Sequence, residues 1–230
     1  YAEARAVFRR AIDAWAEAGD ERGRCGSLNN LALLDLRQGS LVAARDGFER
    51  ALACFRSVND DSGAAFALDN LGYANAELGD HRQAQSLHQE ALALHEKLGN
   101  AQGIAAALHN LGVAAAALGD DAASTQFHER QLPIVRELGH RGSEALALNS
   151  LGFLASRASD DALAAKRYEA ALAIWRETGD AHGVALALHN LATEAIRRGE
   201  IERARQMLRE SLTIRARLAA RGDIAISLSS

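Results

Sequence analysis

Apolar positions recur along this chain with a fixed spacing of 40 residues. Within each period a second leucine follows the first by three residues, as Leu71 follows Leu68, so both lie on one face of a helix. The first five copies share one phrase, which reads LDNLGYANAELG in the second copy. The leading leucines are Leu28, Leu68, Leu108, Leu148, Leu188 and Leu228. A fixed period of this length is typical of stacked repeat proteins. It predicts a long recognition surface instead of one catalytic cleft.

Turn signals divide each period into two halves of similar length. Gly79-Asp80 ends one half and Gly99-Asn100 ends the other. A glycine just past a helix end closes it in the left-handed conformation, and the Asp or Asn that follows caps the next helix. We name the half that carries the leucine phrase helix A and the other half helix B. The predicted A helices cover 21–38, 61–78, 101–118, 141–158 and 181–198. The predicted B helices cover 1–18, 41–58, 81–98, 121–138, 161–178 and 201–218.

These halves predict a single all-α array over 1–230. It begins with an orphan helix B at 1–20 and ends with the start of a further helix A at 221–230. The five complete repeats between them are 21–60, 61–100, 101–140, 141–180 and 181–220. Both ends cut through repeats, so we expect a fragment of a longer protein. Severed repeats expose apolar faces, which makes self-association through the ends a further expectation.

Composition agrees with helices and argues against several classes of function. The chain is 48% hydrophobic with Pro133 as its one proline, and proline is the residue least compatible with a helix interior. The net charge of -4 and the scattered arginines argue against direct nucleic-acid binding, which needs clustered Lys and Arg. No apolar run approaches the ~18 residues of a membrane span. Cys25 and Cys54 stand in columns otherwise held by Ala, Leu or Ile, so we expect two reduced, packed thiols in a cytoplasmic protein. A structural disulfide is the less favoured alternative.

The pattern of small and large residues resembles the tetratricopeptide repeat family over the whole chain. In one repeat the matching residues are Leu68, Leu71-Gly72, Gly79-Asp80, Ala84, His88 and Ala91. The family's usual tyrosine late in helix A is replaced by Asn75 and Ala115. The 40-residue period is similar to the subclass found in polarity adaptors, kinesin light chains and large bacterial transcriptional regulators. The resemblance implies a right-handed α-solenoid of antiparallel helix pairs, with the A helices on the inner wall of a groove that binds extended peptides.

An asparagine column lies beside the leucines: Asn30, Asn70, Asn110 and Asn190, with Ser150 interrupting it. In related arrays an asparagine at this place bonds the backbone of a bound peptide. The chemistry fits, because an amide offers two donors and an acceptor. The alternative is that each asparagine bonds the preceding helix and holds the spacing of the repeats.

Other inner positions of the A helices predict side-chain specificity. Tyr73 and Phe153 flank a third A helix whose inner residues are small: Val113, Ala116 and Ala117. We expect an apolar recess there for one bulky residue of the ligand. The alternative is that alanine is present because it is a good helix former. Asp69 is also assigned to this inner wall.

Basic residues predict an acidic preference at the C-terminal end of the groove. Arg157 and Arg197, with His189, make that part of the inner wall mildly basic, which favours an acidic segment. Solvated surface arginines are the alternative. The lysine clamp that related chaperone adaptors use for a terminal carboxylate is absent, which argues against a chaperone-tail receptor.

The third repeat departs from the pattern. Pro133 removes a hydrogen bond inside helix B and clashes with the carbonyl of Glu129, so we expect a kink there. Gln131 replaces a small alanine and Ser159 replaces a turn glycine in the same region. A functional hinge and neutral drift are both compatible with this cluster.

No motif indicates a metal, a cofactor or catalysis. His81, His88 and His95 are seven apart, which places neighbours ~10.5 Å apart along the axis, whereas helical zinc ligands are usually three or four apart. His88 and His128 fall in the bulky packing column of helix B and are predicted to be core residues. There is no phosphate-binding glycine loop.

The function that these observations favour is a non-catalytic scaffold that binds a protein or peptide. We expect it to be the interaction or sensor region of a larger bacterial signalling or transcriptional regulator. The alternative is a sensor whose groove binds a small ligand or signalling peptide and changes the shape of the superhelix. The recruiting arm of an enzyme is the least favoured hypothesis.

Overall fold

The fold is built from helices joined by tight turns. The structure, a computed structural model, describes residues 2–227 and the side chains of residues 2–219. In that part of the chain the helices are α1 (Ala2–Ala18), α2 (Glu21–Arg37), α3 (Leu41–Ser57), α4 (Asp61–Glu77), α5 (His81–Lys97), α6 (Ala101–Ala117), α7 (Asp121–Glu137), α8 (Arg141–Arg157), α9 (Asp161–Thr178), α10 (Ala181–Arg197) and α11 (Ile201–Ser227). The described residues contain no strand. The predicted all-α class is confirmed, and from α2 to α10 the predicted boundaries hold within one residue.

Local chemistry at the turns explains why the helices stop where they do. The turn glycines have positive φ, for example 86° at Gly79 and 65° at Gly99. Ser159 takes the same left-handed conformation with φ 61° although it is not a glycine. The following polar residue then caps the next helix: Asp60 Oδ1 accepts the backbone N–H of Gly63 at 2.9 Å, which satisfies one of the free amides of a helix start.

The described residues form two compact units, and the division along the chain falls between Phe127 and His128. In the first, each helix from α1 to α5 packs on the next one in sequence, and the A helices α2, α4 and α6 also touch one another in order. In the second, α8 to α11 pack in the same sequential way and α8 touches α10. Within each unit the A helices therefore lie side by side.

Helix pairs approach closely because one glycine in helix A accepts a ring from helix B. A Cβ on Gly72 would lie 2.6 Å from the imidazole of His88, and a Cβ on Gly152 would lie 2.8 Å from the ring of Tyr168. Both rings are 2% exposed. His88 is thereby confirmed as a core residue, and so is His128 at 2% exposure.

A second glycine contact joins each helix B to the next helix A. A Cβ on Gly63 would lie 2.2 Å from Phe55, one on Gly103 would lie 2.2 Å from His95, and one on Gly183 would lie 2.3 Å from Trp175. One equivalent pair in the second unit departs from this ring-on-glycine pattern at both of its positions. There Val135 stands in place of a ring and Ser143 in place of the glycine.

Two expectations from the sequence are wrong. Cys25 and Cys54 are not reduced thiols: they form a disulfide that joins α2 to α3, with 5.4 Å between their Cα atoms. The packing that brings these columns together also brings the sulfurs within bonding distance. No break precedes a further helix A at 221–230, because α11 runs without interruption to Ser227. Ala219 and Ala220 stand where other repeats carry the turn glycine and the capping residue, so nothing ends the helix. Residues 228–230 lie outside the described residues.

Helix α7 contains Pro133 and is assigned as helix from Asp121 to Glu137. The proline therefore does not end the helix, and the kink near Glu129–Pro133 stays a prediction. The division of 1–230 into one array also stays a prediction.

Candidate peptide-binding face

The A helices of the first unit leave a stripe of apolar side chains exposed. Tyr73 on α4 is 47% exposed and Val113 on α6 is 49% exposed, although both helices are otherwise rich in buried residues. Phe66 lies on the same side of α4 as Tyr73, two helical turns before it, and is also about half exposed. We name Phe66, Tyr73, Val113, Ala116 and Ala117 the first A face. Large apolar side chains that are adjacent and exposed indicate a binding surface.

Small side chains follow Val113 on α6. Ala117 is exposed and Ala116 is half-buried, and neither extends far from the helix. This agrees with the expected truncation of α6 next to Tyr73. Phe153, the other expected wall of the recess, belongs to the second unit, and the recess stays a prediction.

The phenol of Tyr73 lies close to the carboxylate of Glu77. Partial burial, and then the charge and hydrogen bond of Glu77, raise the pKa of Tyr73 above its ordinary value. Glu77 is one turn further along the exposed side of α4. The phenol on the first A face is therefore an apolar ring with a hydrogen-bonding end, a combination common at peptide-binding surfaces.

The asparagine column bonds across neighbouring A helices at two of its positions. The amide nitrogen of Asn70 donates to Oδ1 of Asn29 at 3.2 Å, and that of Asn190 donates to Oδ1 of Asn149 at 2.9 Å. These bonds are the ones expected of a spacing role. Each uses one of the two amide hydrogens and leaves the carboxamide oxygen of Asn70 or Asn190 for another partner. Asn30 is exposed, and Asn110 is half-buried.

Asp69 faces two buried histidines instead of a ligand. His95 Nε2 lies 2.9 Å from one carboxylate oxygen of Asp69, and His88 Nδ1 lies 3.3 Å from the other. Asn100 Nδ2 lies 3.2 Å from His95 Nδ1, while its oxygen accepts the backbone N–H of Gly103. Both hydrogen bonds of the His95 ring, to Asp69 and from Asn100, are satisfied if His95 carries its proton on Nε2. The assignment of Asp69 to a ligand-contacting wall is therefore corrected: it connects α4 to α5.

The second unit presents a comparable stripe on α8 and α10. Phe153 is 49% exposed, and Leu146 and Ile196 are exposed to a similar extent. The guanidinium of Arg157 lies 5.9 Å from the centre of the Phe153 ring, within the range of a cation–π contact. His189 on α10 is exposed. We name Leu146, Phe153, Arg157, His189 and Ile196 the second A face.

Arg197 is engaged by its own neighbours. It forms an ion pair with Glu194, which is 1% exposed, and lies 3.4 Å from Asp161. It also donates to the hydroxyl and carbonyl of Ser156 on α8. Its positive charge is therefore compensated, which reduces the basic character that the sequence predicts for this wall. Arg197 acts in this structure as a bridge between α8, α9 and α10.

The buried phenol of Tyr168 lies close to the carboxylate of Glu194. Burial, and then the negative charge of Glu194, raise the pKa of Tyr168 to about 12. Glu194 Oε2 has no hydrogen-bond partner among the described residues. The Tyr168–Glu194 pair thus lies under the second A face as a polar element of the core.

Phe66 and Leu146 belong to the two faces but are not among the predicted site residues. Both precede the repeated leucine phrase by two residues, at a column where other repeats have Gly26, Ala106 and Leu186. Their spacing of seven from Tyr73 and Phe153 was a usable signal, since residues seven apart lie on one helical face.

Comparison with known families settles what kind of repeat this is. The family model of the tetratricopeptide repeat matches four overlapping stretches, residues 23–97, 63–137, 103–177 and 143–217. The chain belongs to the tetratricopeptide repeat family. Proteins of this family are generally non-catalytic scaffolds for protein–protein interaction. No curated protein matches the chain in sequence.

Solved tetratricopeptide structures share the fold at low sequence identity. BtubC (BKLC) from P. vanneervenii is 19% identical with a TM-score of 0.81, covering 94% of this chain and 91% of that one. The STAND protein with a tetratricopeptide repeat sensor from Pyrococcus horikoshii is 16% identical with a TM-score of 0.78, covering 90% of this chain and 33% of that one. A Rap protein complexed with Competence and Sporulation Factor is 17% identical with a TM-score of 0.67, covering 93% and 72%. Within the described residues no helix has the length and apolar character needed to cross a membrane.

Proposed function

We propose that this tetratricopeptide chain is a non-catalytic scaffold whose A faces bind an extended peptide segment of a partner protein. The single observation that carries the proposal is the exposure of Tyr73 and Val113 on adjacent A helices of the first unit. A monomeric protein gains nothing from leaving such side chains in water, whereas a peptide that covers them gains apolar contact.

The expected energetics come mainly from these apolar anchors. Covering the exposed half of one large side chain contributes about 1 kcal/mol, taking half of the value for full burial. Phe66, Tyr73 and Val113 together therefore supply about 3 kcal/mol in the first unit. Asn30, Asn70 and Asn110 are proposed to add hydrogen bonds to the peptide backbone, with Asn190 in the same role in the second unit.

Charge has a smaller part in the proposed recognition. The acidic character of the partner that the sequence predicts depends on Arg157, Arg197 and His189. Arg197 is already paired with Glu194 and Asp161. We therefore expect an acidic residue to bind near His189 and Arg157, and the apolar anchors to dominate the affinity.

The wider role proposed is the sensor or interaction region of a larger regulator. Two structural neighbours favour this context: one is a sensor region of a STAND protein, and another is a Rap protein complexed with a factor. The second candidate, a sensor of a small ligand or signalling peptide, is favoured by the same Rap neighbour. Self-association and a cytoplasmic location stay predictions.

A peptide-display selection tests the proposal. Immobilised chain is used to select peptides from a random library, and the Kd of the best sequence is measured for the wild type, for Ala116→Trp and for Asn70→Ala/Asn110→Ala. We expect apolar or aromatic residues in the selected peptides and weaker binding by both variants. A selection that yields no sequence preference, or peptides that bind both variants with unchanged Kd, contradicts the proposed face.

A further inference from the structure

A cavity of about 530 Å³ opens in the first unit between α1 and α3, with α2 as its floor. It does not include the residues of the first A face. Its volume lies within the range of about 300 to 1,000 Å³ that is common for small-molecule sites.

At this cavity the sequence departs from that of the next repeat. Gly47 on α3 lines it, whereas the same column one repeat later carries Leu87, which is buried in the core. A Cβ on Gly47 would lie 2.7 Å from the Cβ of Ala32, so α3 and α2 are in close contact there and Gly47 adds no side chain to the cavity lining. Leu31, on the floor, remains partly exposed, while Leu71 at the equivalent position is 4% exposed.

The charges at the rim of the cavity also differ from those at the equivalent positions one repeat later. Arg9 on α1 and Arg50 on α3 line the cavity, where the next repeat has Glu49 and Glu90. Both arginines are exposed, and neither has an ion-pair or hydrogen-bond partner among the described residues. A basic rim therefore coincides with an apolar floor.

The other charged groups of the cavity nearly cancel. Arg5 is paired with Asp35, and Asp46 is paired with Arg45, 2.9 Å away. Asp13, one turn after Arg9 on α1, is the opposing charge without a partner in the described residues. The six charged residues that line the cavity sum to zero. Arg45, which pairs with Asp46 from outside the lining, brings the local balance to one positive charge.

We propose that this cavity binds a small organic anion with an apolar body, such as an alkyl or aryl carboxylate. The apolar part lies on Ile12, Leu28 and Leu31, and the acid group lies between the guanidinium groups of Arg9 and Arg50. Guanidinium binds carboxylate and similar oxyanions through charge-assisted hydrogen bonds. This site is separate from the peptide-binding faces and does not depend on the proposed function.

Fluorescence titration with anilinonaphthalene sulfonate, an anionic aromatic probe, tests the proposal on the 230-residue chain. Ala43, which is exposed and lines the cavity, is changed to Phe to occupy the space. We expect Ala43→Phe to weaken probe binding at least about tenfold, which corresponds to a loss of about 1.4 kcal/mol or more in binding free energy. Arg9→Gln/Arg50→Gln should weaken it about fivefold, since the rim is exposed and water screens part of the charge. Asp13→Asn should strengthen it about twofold for the same reason.

Matched controls separate this site from other apolar surfaces. Arg10→Gln removes an exposed arginine of α1 that does not line the cavity, and it should bind the probe as the wild type does. Tyr73→Ser alters the first A face and reports any probe that binds there. Octanoate should displace the probe, and octyltrimethylammonium at the same concentration should not. Circular dichroism establishes that each variant is folded. Equal titrations for the wild type and Ala43→Phe, or loss of binding only in Tyr73→Ser, overturn the proposal. Equal displacement by the two octyl compounds overturns its anionic part.

Discussion

Adding one methyl group at Gly183 should destabilise the second unit, although glycine is a poor helix former. A Cβ there would lie 2.3 Å from Trp175, a ring that is 1% exposed. An ordinary contact begins at 3.4 Å, so the ring must retreat by on the order of 1 Å within a packed core. Overpacking of this kind costs about 1 to 3 kcal/mol, and the better helix propensity of alanine returns about 1 kcal/mol. Taking the upper end of the overpacking range and subtracting the gain in helix propensity, we expect a net loss of about 2 kcal/mol.

Gly26 is the matched control for Gly183. It lies inside α2, and a Cβ there would meet nothing within 4 Å. Gly26→Ala should therefore raise stability by up to about 1 kcal/mol through helix propensity alone. Urea unfolding followed by far-ultraviolet circular dichroism and by tryptophan fluorescence measures both variants. Stabilisation of the chain by Gly183→Ala, equal to that from Gly26→Ala, would refute the reasoning that a ring occupies the space of the missing methyl.

Two further predictions concern the disulfide and the buried tyrosine. Cys25→Ala/Cys54→Ala should lower the free energy of unfolding by about 3 to 4 kcal/mol, because the disulfide closes a loop over a separation of 29 residues and so reduces the entropy of the unfolded chain. Titration of the denatured, unreduced wild type with a thiol reagent should find no free thiol. Two free thiols per chain would contradict the disulfide. Because the folded pKa of Tyr168 is raised from 10.0 to about 12, its contribution to stability is complete below pH 10 and is lost as pH rises towards 12. Tyr168→Phe should flatten that alkaline loss in urea titrations at several pH values, and an unchanged slope would contradict it.

Helix positions were predictable because the signals that set them are local. Gly79 and Asp80 close one helix and cap the next within a few residues, whatever the rest of the chain does. The same logic explains the one missing turn, since Ala219 and Ala220 carry neither signal. The pairing of Gly183 with Trp175 was not predicted, because it joins two helices and its partners are identified only by their distance.

Site residues were harder to assign because a helical face does not reveal what it meets. The sequence predicts Asp69, next to Asn70, on the ligand side, yet its carboxylate contacts His88 and His95 of the next helix. The sequence predicts Arg197 as part of a mildly basic wall, whereas its guanidinium pairs with Glu194, three residues earlier. The disulfide needed the 5.4 Å separation of two Cα atoms, which a sequence separation of 29 does not indicate.

The most direct measurement of peptide binding by the A faces is the Kd of a selected peptide for two matched serine variants. Tyr73→Ser removes a half-exposed ring from the first A face, and Val42→Ser removes a half-exposed apolar side chain from helix B α3. Isothermal titration calorimetry should show Tyr73→Ser weakening the peptide about fivefold, the equivalent of about 1 kcal/mol, and Val42→Ser binding as the wild type does. Equal Kd values for Tyr73→Ser and the wild type, or a loss confined to Val42→Ser, would place the binding surface elsewhere on the molecule.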